Sequence, residues 1–233
     1  MTKNNISYKN RGLSALLILL ASGGIFSIAQ VIEQLLIGYS LEAMYVSFCA
    51  GFILFTPLVS LALHPLLLSN IDELNKAKAT SLIVNIGLVA IVQGLFFLIW
   101  MTDAIAVYSI YVDSQSFLAN AFSINSVNVA NFSQEFYWMN LLLAWLFSFL
   151  SITAGLLPCL IARVKNLGVV GNFVSAFTFA KKNKLTLARY AFYLAFSVIM
   201  SLMYAKYLFI LLFPVTLAWI FITISRRYLQ SAA

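Results

Sequence analysis

Long unbroken apolar runs alternate with short polar breaks along the chain, without the in-and-out rhythm of β-strands. A helix crosses about 30 Å of hydrocarbon with about 20 largely apolar residues. Runs of that size predict spans over residues 13–38, 44–68, 81–101 and 136–161. The last apolar block, residues 190–224, would be about 50 Å long as a single helix at 1.5 Å per residue, which is too long for one ordinary crossing. Lys206 stands near its midpoint, so the block divides into spans over residues 190–204 and 207–224. Barrel strands alternate lipid-facing and interior residues over only about ten positions. The expected fold class is therefore all-α: a polytopic transmembrane helix bundle of about six spans.

The segments between spans differ in kind. Residues 103–135 are rich in Ser and Asn and contain no Lys or Arg, forming the largest exposed stretch. Residues 163–189 are basic, with Val170, Phe173, Val174, Phe177 and Ala180 at helical spacing and Asn172, Ser175 and Lys182 elsewhere on the wheel. That pattern predicts a short interfacial helix on the cytoplasmic side. The start resembles the first two regions of a signal peptide, but the apolar run continues to Ile32 and is long enough to be a span. The expected organisation is a cytoplasmic N-terminal segment, 1–12, followed by a single transmembrane domain, 13–233.

Composition excludes a soluble single-core fold. Hydrophobic residues make up 63% of the 233 positions and charged residues only 9%, against about 25% charged in soluble domains. The +7 charge does not point to nucleic acid, because its bearers flank apolar runs. Of the 14 Lys and Arg residues, all but Lys206 fall on one side of the six-span arrangement. The positive-inside rule makes that side the cytoplasm and puts both termini there, and the expected location is a bacterial inner membrane. Glu42, Asp103, Asp113 and Glu135 fall outside, and Trp100, Tyr108, Tyr111, Tyr137 and Trp138 flank the outer ends of spans 3 and 4 as interfacial rings would. Cys49 and Cys159 belong to opposite ends of their spans, which argues against a disulfide, and their spacing suggests no metal site.

Few residues offer chemistry. Glu33 is the one acidic residue inside an apolar run, with Gln30 and Gln34 beside it and Gly23 and Ser27 on the same stripe. An intramembrane carboxylate is costly and so marks a candidate polar site, unless it lies at the interface. Lys181, Lys182 and Lys184 are candidate lipid contacts, each drawn to anionic headgroups by about 1 kcal/mol. His64 reads as structural, and Asn85, Gln93 and Asn140 as interhelical hydrogen-bonding amides. Spans 2, 4 and 6 each carry a proline (Pro57, Pro158, Pro214), as three parallel hairpins would. The sequence holds no Walker-type loop, His-Glu-x-x-His, Gly-x-Ser-x-Gly or Cys-x-x-Cys. No cofactor is expected.

Certain short motifs occur in a set order: Ala50-Gly51-Phe52-Ile53-Leu54-Phe55-Thr56-Pro57, Leu98-Ile99-Trp100, Leu157-Pro158 before a basic segment ending Lys182-Asn183, Phe213-Pro214, and Arg226-Arg227-Tyr228. In this the chain resembles an uncharacterised family of bacterial predicted integral inner-membrane proteins that carries a domain of unknown function and is sometimes labelled cytochrome c oxidase subunit I-like. The resemblance implies a membrane location and no catalytic residues. The oxidase label conflicts with a single histidine, since haem–copper centres need an imidazole set. Two functions follow. The first is a non-enzymatic protein acting through contacts with membrane lipids and other inner-membrane proteins, in an accessory, assembly or protective role. The second is a small-solute transporter or permease using Glu33.

Overall fold

A computed structural model describes residues 3–39, 41–64, 79–111, 129–165 and 167–232 of the protein. The described residues form helices and turns with no strand. Six helical segments are long and apolar enough to cross a membrane: Gly12–Gly38, Glu42–Leu63, Ile83–Ser109, Glu135–Val164, Lys184–Tyr204 and Lys206–Ser231. The chain is thus a multi-pass helical membrane protein.

Helix α1 (Lys3–Gly38) begins nine residues before its span, so much of the expected N-terminal segment is helical. Span 2 is built from α2 (Tyr45–Gly51) and α3 (Thr56–Ser60), joined by a 3-10 turn at Phe52–Phe55 and followed by another at Leu61–Leu63. Pro57 lies in the first turn of α3, where its missing N–H costs nothing. Span 3 is α4 (Ala79–Tyr111), ten residues longer at its C-terminal end than the apolar run predicts. Span 4 comprises α5 (Val129–Ser151), a π turn at Ile152–Leu156 and α6 (Leu157–Val164). The ring of Pro158 would meet the carbonyl of Ala154 in a regular helix, and widening that turn relieves the clash. Helix α7 (Val169–Lys182) follows, then spans 5 and 6 as α8 (Lys184–Tyr204) and α9 (Phe209–Ala232). The expected break falls where Lys206 stands, with a 3-10 turn at Lys206–Leu208. Pro214 lies inside α9 without breaking it, so the third member of the proline echo is structurally unlike the first two.

Spans 3 and 4 run antiparallel: Asn85 meets Cys159, Gln93 meets Ser151 and Tyr108 meets Phe136. Spans 5 and 6 pair likewise through Ser197 with Thr216 and Arg227 with Thr186. One end of the bundle therefore gathers Arg163, Lys181, Lys182, Lys184, Arg226 and Arg227; the other gathers Glu42, Glu135 and Lys206. We call these the basic and the acidic end.

Span 2 is the centre. Helix α2 packs on α1, α4, α5 and α8, and α3 packs on α9. Around it the other spans follow in the order α1, α9, α8, α5, α4, while α1 and α4 share no extended packing. The bundle is thus a horseshoe with the central span visible through its gap. Burial agrees: in an apolar 18-residue stretch of each, 72% of residues in span 2 and 61% in span 4 are buried, against 22% in spans 1 and 3 at the two tips. On α1 the inward seam is Ser14, Ile18, Ser22, Ile25, Ala29 and Leu36, half of it small or polar, while Leu13, Leu17, Leu20, Ile28, Val31 and Leu35 face out. That is the expected arrangement where lipid is as apolar as leucine and close backbone approach drives packing.

Two expectations at the acidic end are corrected. Trp100 is not an interfacial ring: it is 1% exposed, and a Cβ added to Gly51 would lie 2.7 Å from its indole. Asp103 is on α4 and partly buried, not in a loop. Both follow from a span that continues past Met101. Among the described residues, Tyr39, Tyr137, Trp138, Tyr204 and Tyr207 are exposed rings at this end. Asp113, Lys76, Lys78 and most of the polar segment 103–135 lie outside the described residues.

Candidate functional site

The sequence singles out Gln30, Glu33 and Gln34. At i, i+3 and i+4 on α1 they lie on one side of the helix, but the structure gives them different surroundings. Glu33 turns inward and accepts hydrogen bonds from Lys206 Nζ on both carboxylate oxygens. The pair is partly exposed, 24% for Glu33 and 32% for Lys206. Glu33 stands five residues, about 7.5 Å, from the end of α1. The ammonium also lies 5.7 Å from the centre of the Tyr45 ring, within cation–π reach. Phe26 against Tyr207, with centroids 5.6 Å apart, adds an apolar contact on the same side. Together these groups fasten α1 to span 2 and to the turn between spans 5 and 6. Gln34 is exposed, whereas Gln30 is partly buried with Nε2 unpartnered among the described residues.

A second polar centre runs through the middle of the bundle. Ser47 Oγ donates to Asn140 Oδ1 at 2.6 Å, joining spans 2 and 4. Ser151 Oγ donates to Gln93 Oε1 at 3.0 Å, joining spans 4 and 3. Asn172 Nδ2 donates to Asn85 Oδ1 at 3.3 Å, and Asn172 Oδ1 accepts from Leu167 N at 3.1 Å, tying α7 and its entry turn to span 3. All three predicted amides make interhelical bonds. The break in span 2 and the π turn of span 4 meet at this level. A Cβ on Gly155 would lie 2.8 Å from Pro57 Cβ and 2.7 Å from Gln93 Nε2. Thr56 Oγ1, Gln93 Nε2, Ser148 Oγ and Thr153 Oγ1 are buried without partners among the described residues.

At the basic end, α7 buries Asn172, Ala176, Phe179 and Ala180 and exposes Val170, Val174 and Phe177. Asn172, which stands off the apolar stripe on the wheel, is the helix's buried polar anchor, and Ala180 of that stripe lies inside with it. The apolar positions that remain exposed are those an interfacial helix would sink into a leaflet. Lys181, Lys182 and Lys184 are exposed beside them. His64 is buried, its ring 5.0 Å from that of Phe221, with Nε2 unpartnered among the described residues. Cys49 and Cys159 are both buried and free. Among the described residues no three His, Cys, Asp or Glu side chains gather as metal ligands.

Sequence reasoning missed the partnership of Glu33 and Lys206. The available signal was that the lone carboxylate within a run and the lone cation of the outer side both belong to one end of the bundle. It also took Arg163 for a plain topology residue, although its side chain reaches the wall of a membrane-facing groove. No family model matches the chain, and no curated protein or solved structure does either.

Proposed function

We propose that this is a non-enzymatic protein of a bacterial inner membrane that works through contacts with other membrane components, in an accessory, assembly or protective role. The positive-inside rule puts the basic end and both termini in the cytoplasm. The observation that carries the reading is the outer face of α1 at one tip of the horseshoe. There Gly24, Ser27 and Gln34 are exposed at helical spacing among leucines, and a Cβ on Gly23 or Gly24 would meet nothing. Small residues that admit a close backbone, with hydroxyl and amide groups beside them, are what one membrane helix offers another. Photo-crosslinking in intact cells from Ser27 and Val31 tests this. Discrete protein adducts that Gly24→Leu abolishes support it; adducts no different from those at Ile91 on α4 count against it.

A second reading, a small-solute transporter or permease using Glu33, draws support from the two broken spans meeting at a buried polar seam. On that reading Glu33→Gln alters solute flux, and unchanged uptake with the protein present at normal level removes it.

A further inference from the structure

The gap in the horseshoe is not smooth. Toward the basic end it opens into a groove of about 720 Å³ between α1 and the second half of span 2, walled by Leu13, Leu17, Leu58, Val59 and Ala62 and closed by Arg163. Apart from the Ser14 hydroxyl its walls are hydrocarbon, and among the described residues its one charged group is a guanidinium. Arg163 is partly buried in the last turn of α6, and among the described residues no carboxylate pairs with it. A half-desolvated guanidinium presents a planar fork of donors that fits a phosphate on two oxygens at once.

We propose that this groove binds one anionic phospholipid of the leaflet at the basic end, its phosphate on Arg163 and an acyl chain lying along Leu13, Leu17, Leu58 and Ala62. The occupant follows from the two chemistries side by side. The charge asks for an anion, and the apolar walls ask for a chain attached to it; a free phosphate would satisfy the first and leave the second bare. Basic pockets between membrane helices on the cytoplasmic side are where such headgroups are held. Lys181, Lys182 and Lys184, exposed at the same end, raise the local concentration of anionic lipid without forming the site.

The test places a fluorescent reporter in the groove, Leu17→Trp, in the full chain reconstituted in phosphatidylcholine vesicles, with the native-tryptophan protein subtracted as background. Phosphatidylglycerol or phosphatidylcholine with brominated acyl chains is titrated in as quencher. Quenching should show about a fivefold preference for phosphatidylglycerol, the equivalent of one charge at a membrane surface. Arg163→Gln should abolish the preference and Arg163→Lys should keep most of it. Replacing Lys181, Lys182 and Lys184 together by Gln should leave it in place. Folding of each variant is checked by its circular dichroism and elution volume. Equal quenching by the two lipids overturns the proposal, as does a preference that survives Arg163→Gln or vanishes with the three lysines. Loss of the preference on adding millimolar inorganic phosphate at constant ionic strength also overturns it, because the site would then hold a free anion.

Discussion

The close approach of span 2 to the π turn of span 4 makes a strong prediction at Gly155. Alanine adds one methyl there, and the positions it would crowd are 2.8 Å away at Pro57 Cβ and 2.7 Å away at Gln93 Nε2, well inside van der Waals contact. The proline ring cannot swing aside, because it is part of the backbone of a 3-10-to-α junction. The Gln93 amide can move only by releasing Ser151, a hydrogen bond worth about 1 kcal/mol net. Overpacking a filled interior costs about 1–3 kcal/mol, and two constrained neighbours place Gly155→Ala toward the upper part of that range. The assay is unfolding of the purified protein in mixed micelles by titration with sodium dodecyl sulfate, followed by tryptophan fluorescence. Gly94→Ala is the control: it lies next to Gln93 on α4, and its added methyl meets nothing. The expected result is a clear fall in the midpoint for Gly155→Ala and none for Gly94→Ala. Equal midpoints for Gly155→Ala and the parent, within about 0.5 kcal/mol, would refute the packing on which the central position of span 2 rests.

Glu33→Gln and Lys206→Met, alone and together, should give a coupling of about 0.5–1 kcal/mol in the same titration, because the pair is partly exposed and such pairs are weak; zero coupling would mean that α1 is held by apolar contacts alone. Asn172→Leu should lower stability by about 1–3 kcal/mol, since it orphans the buried Asn85 carbonyl and the Leu167 amide; a neutral result, or hydrogen exchange in α7 unchanged from the parent, would contradict its role as anchor. Cys49 and Cys159 should resist maleimide in micelles and react only after denaturation; rapid labelling of either in the folded protein would contradict the burial of spans 2 and 4.

The six spans were legible because transfer to hydrocarbon depends on runs of residues, and a run is a property of sequence. Their ends were less so. Helix α4 passes Asp103 and α9 passes Arg226 and Arg227, because beyond the apolar stretch a helix continues as long as its backbone bonds form, whether or not its side chains suit lipid. That extension is also why Trp100, at the end of the apolar run, was read as an interfacial ring when it is a core residue. The amides on spans 3 and 4 were legible as a class, since polar groups in spans need partners, but the identities of those partners were not. The anchoring role of Asn172 was not legible, because a mixed wheel does not say whether the polar or the apolar side meets the bundle. Glu33 and Lys206 are 173 positions apart, and hydropathy carries no information on which spans are neighbours.

The order of spans around the bundle shows what decides neighbours here. The outer faces of the surrounding spans are mostly apolar, so burying leucine against leucine rather than against lipid gains little and selects no partner. The discriminating contacts are those that lipid cannot replace, among them Ser47 with Asn140, Gln93 with Ser151, Asn85 with Asn172, and Lys206 with Glu33. The first three join span 2, span 4, span 3 and α7 along the buried seam. The last closes the opposite side, bringing α1 to the turn between spans 5 and 6. The tips of the horseshoe, α1 and α4, have no such bond between them among the described residues and share no extended packing. The gap is thus the place where the polar pairing runs out, and it leaves the broken central span, the groove and the half-buried Arg163 open to the surrounding membrane.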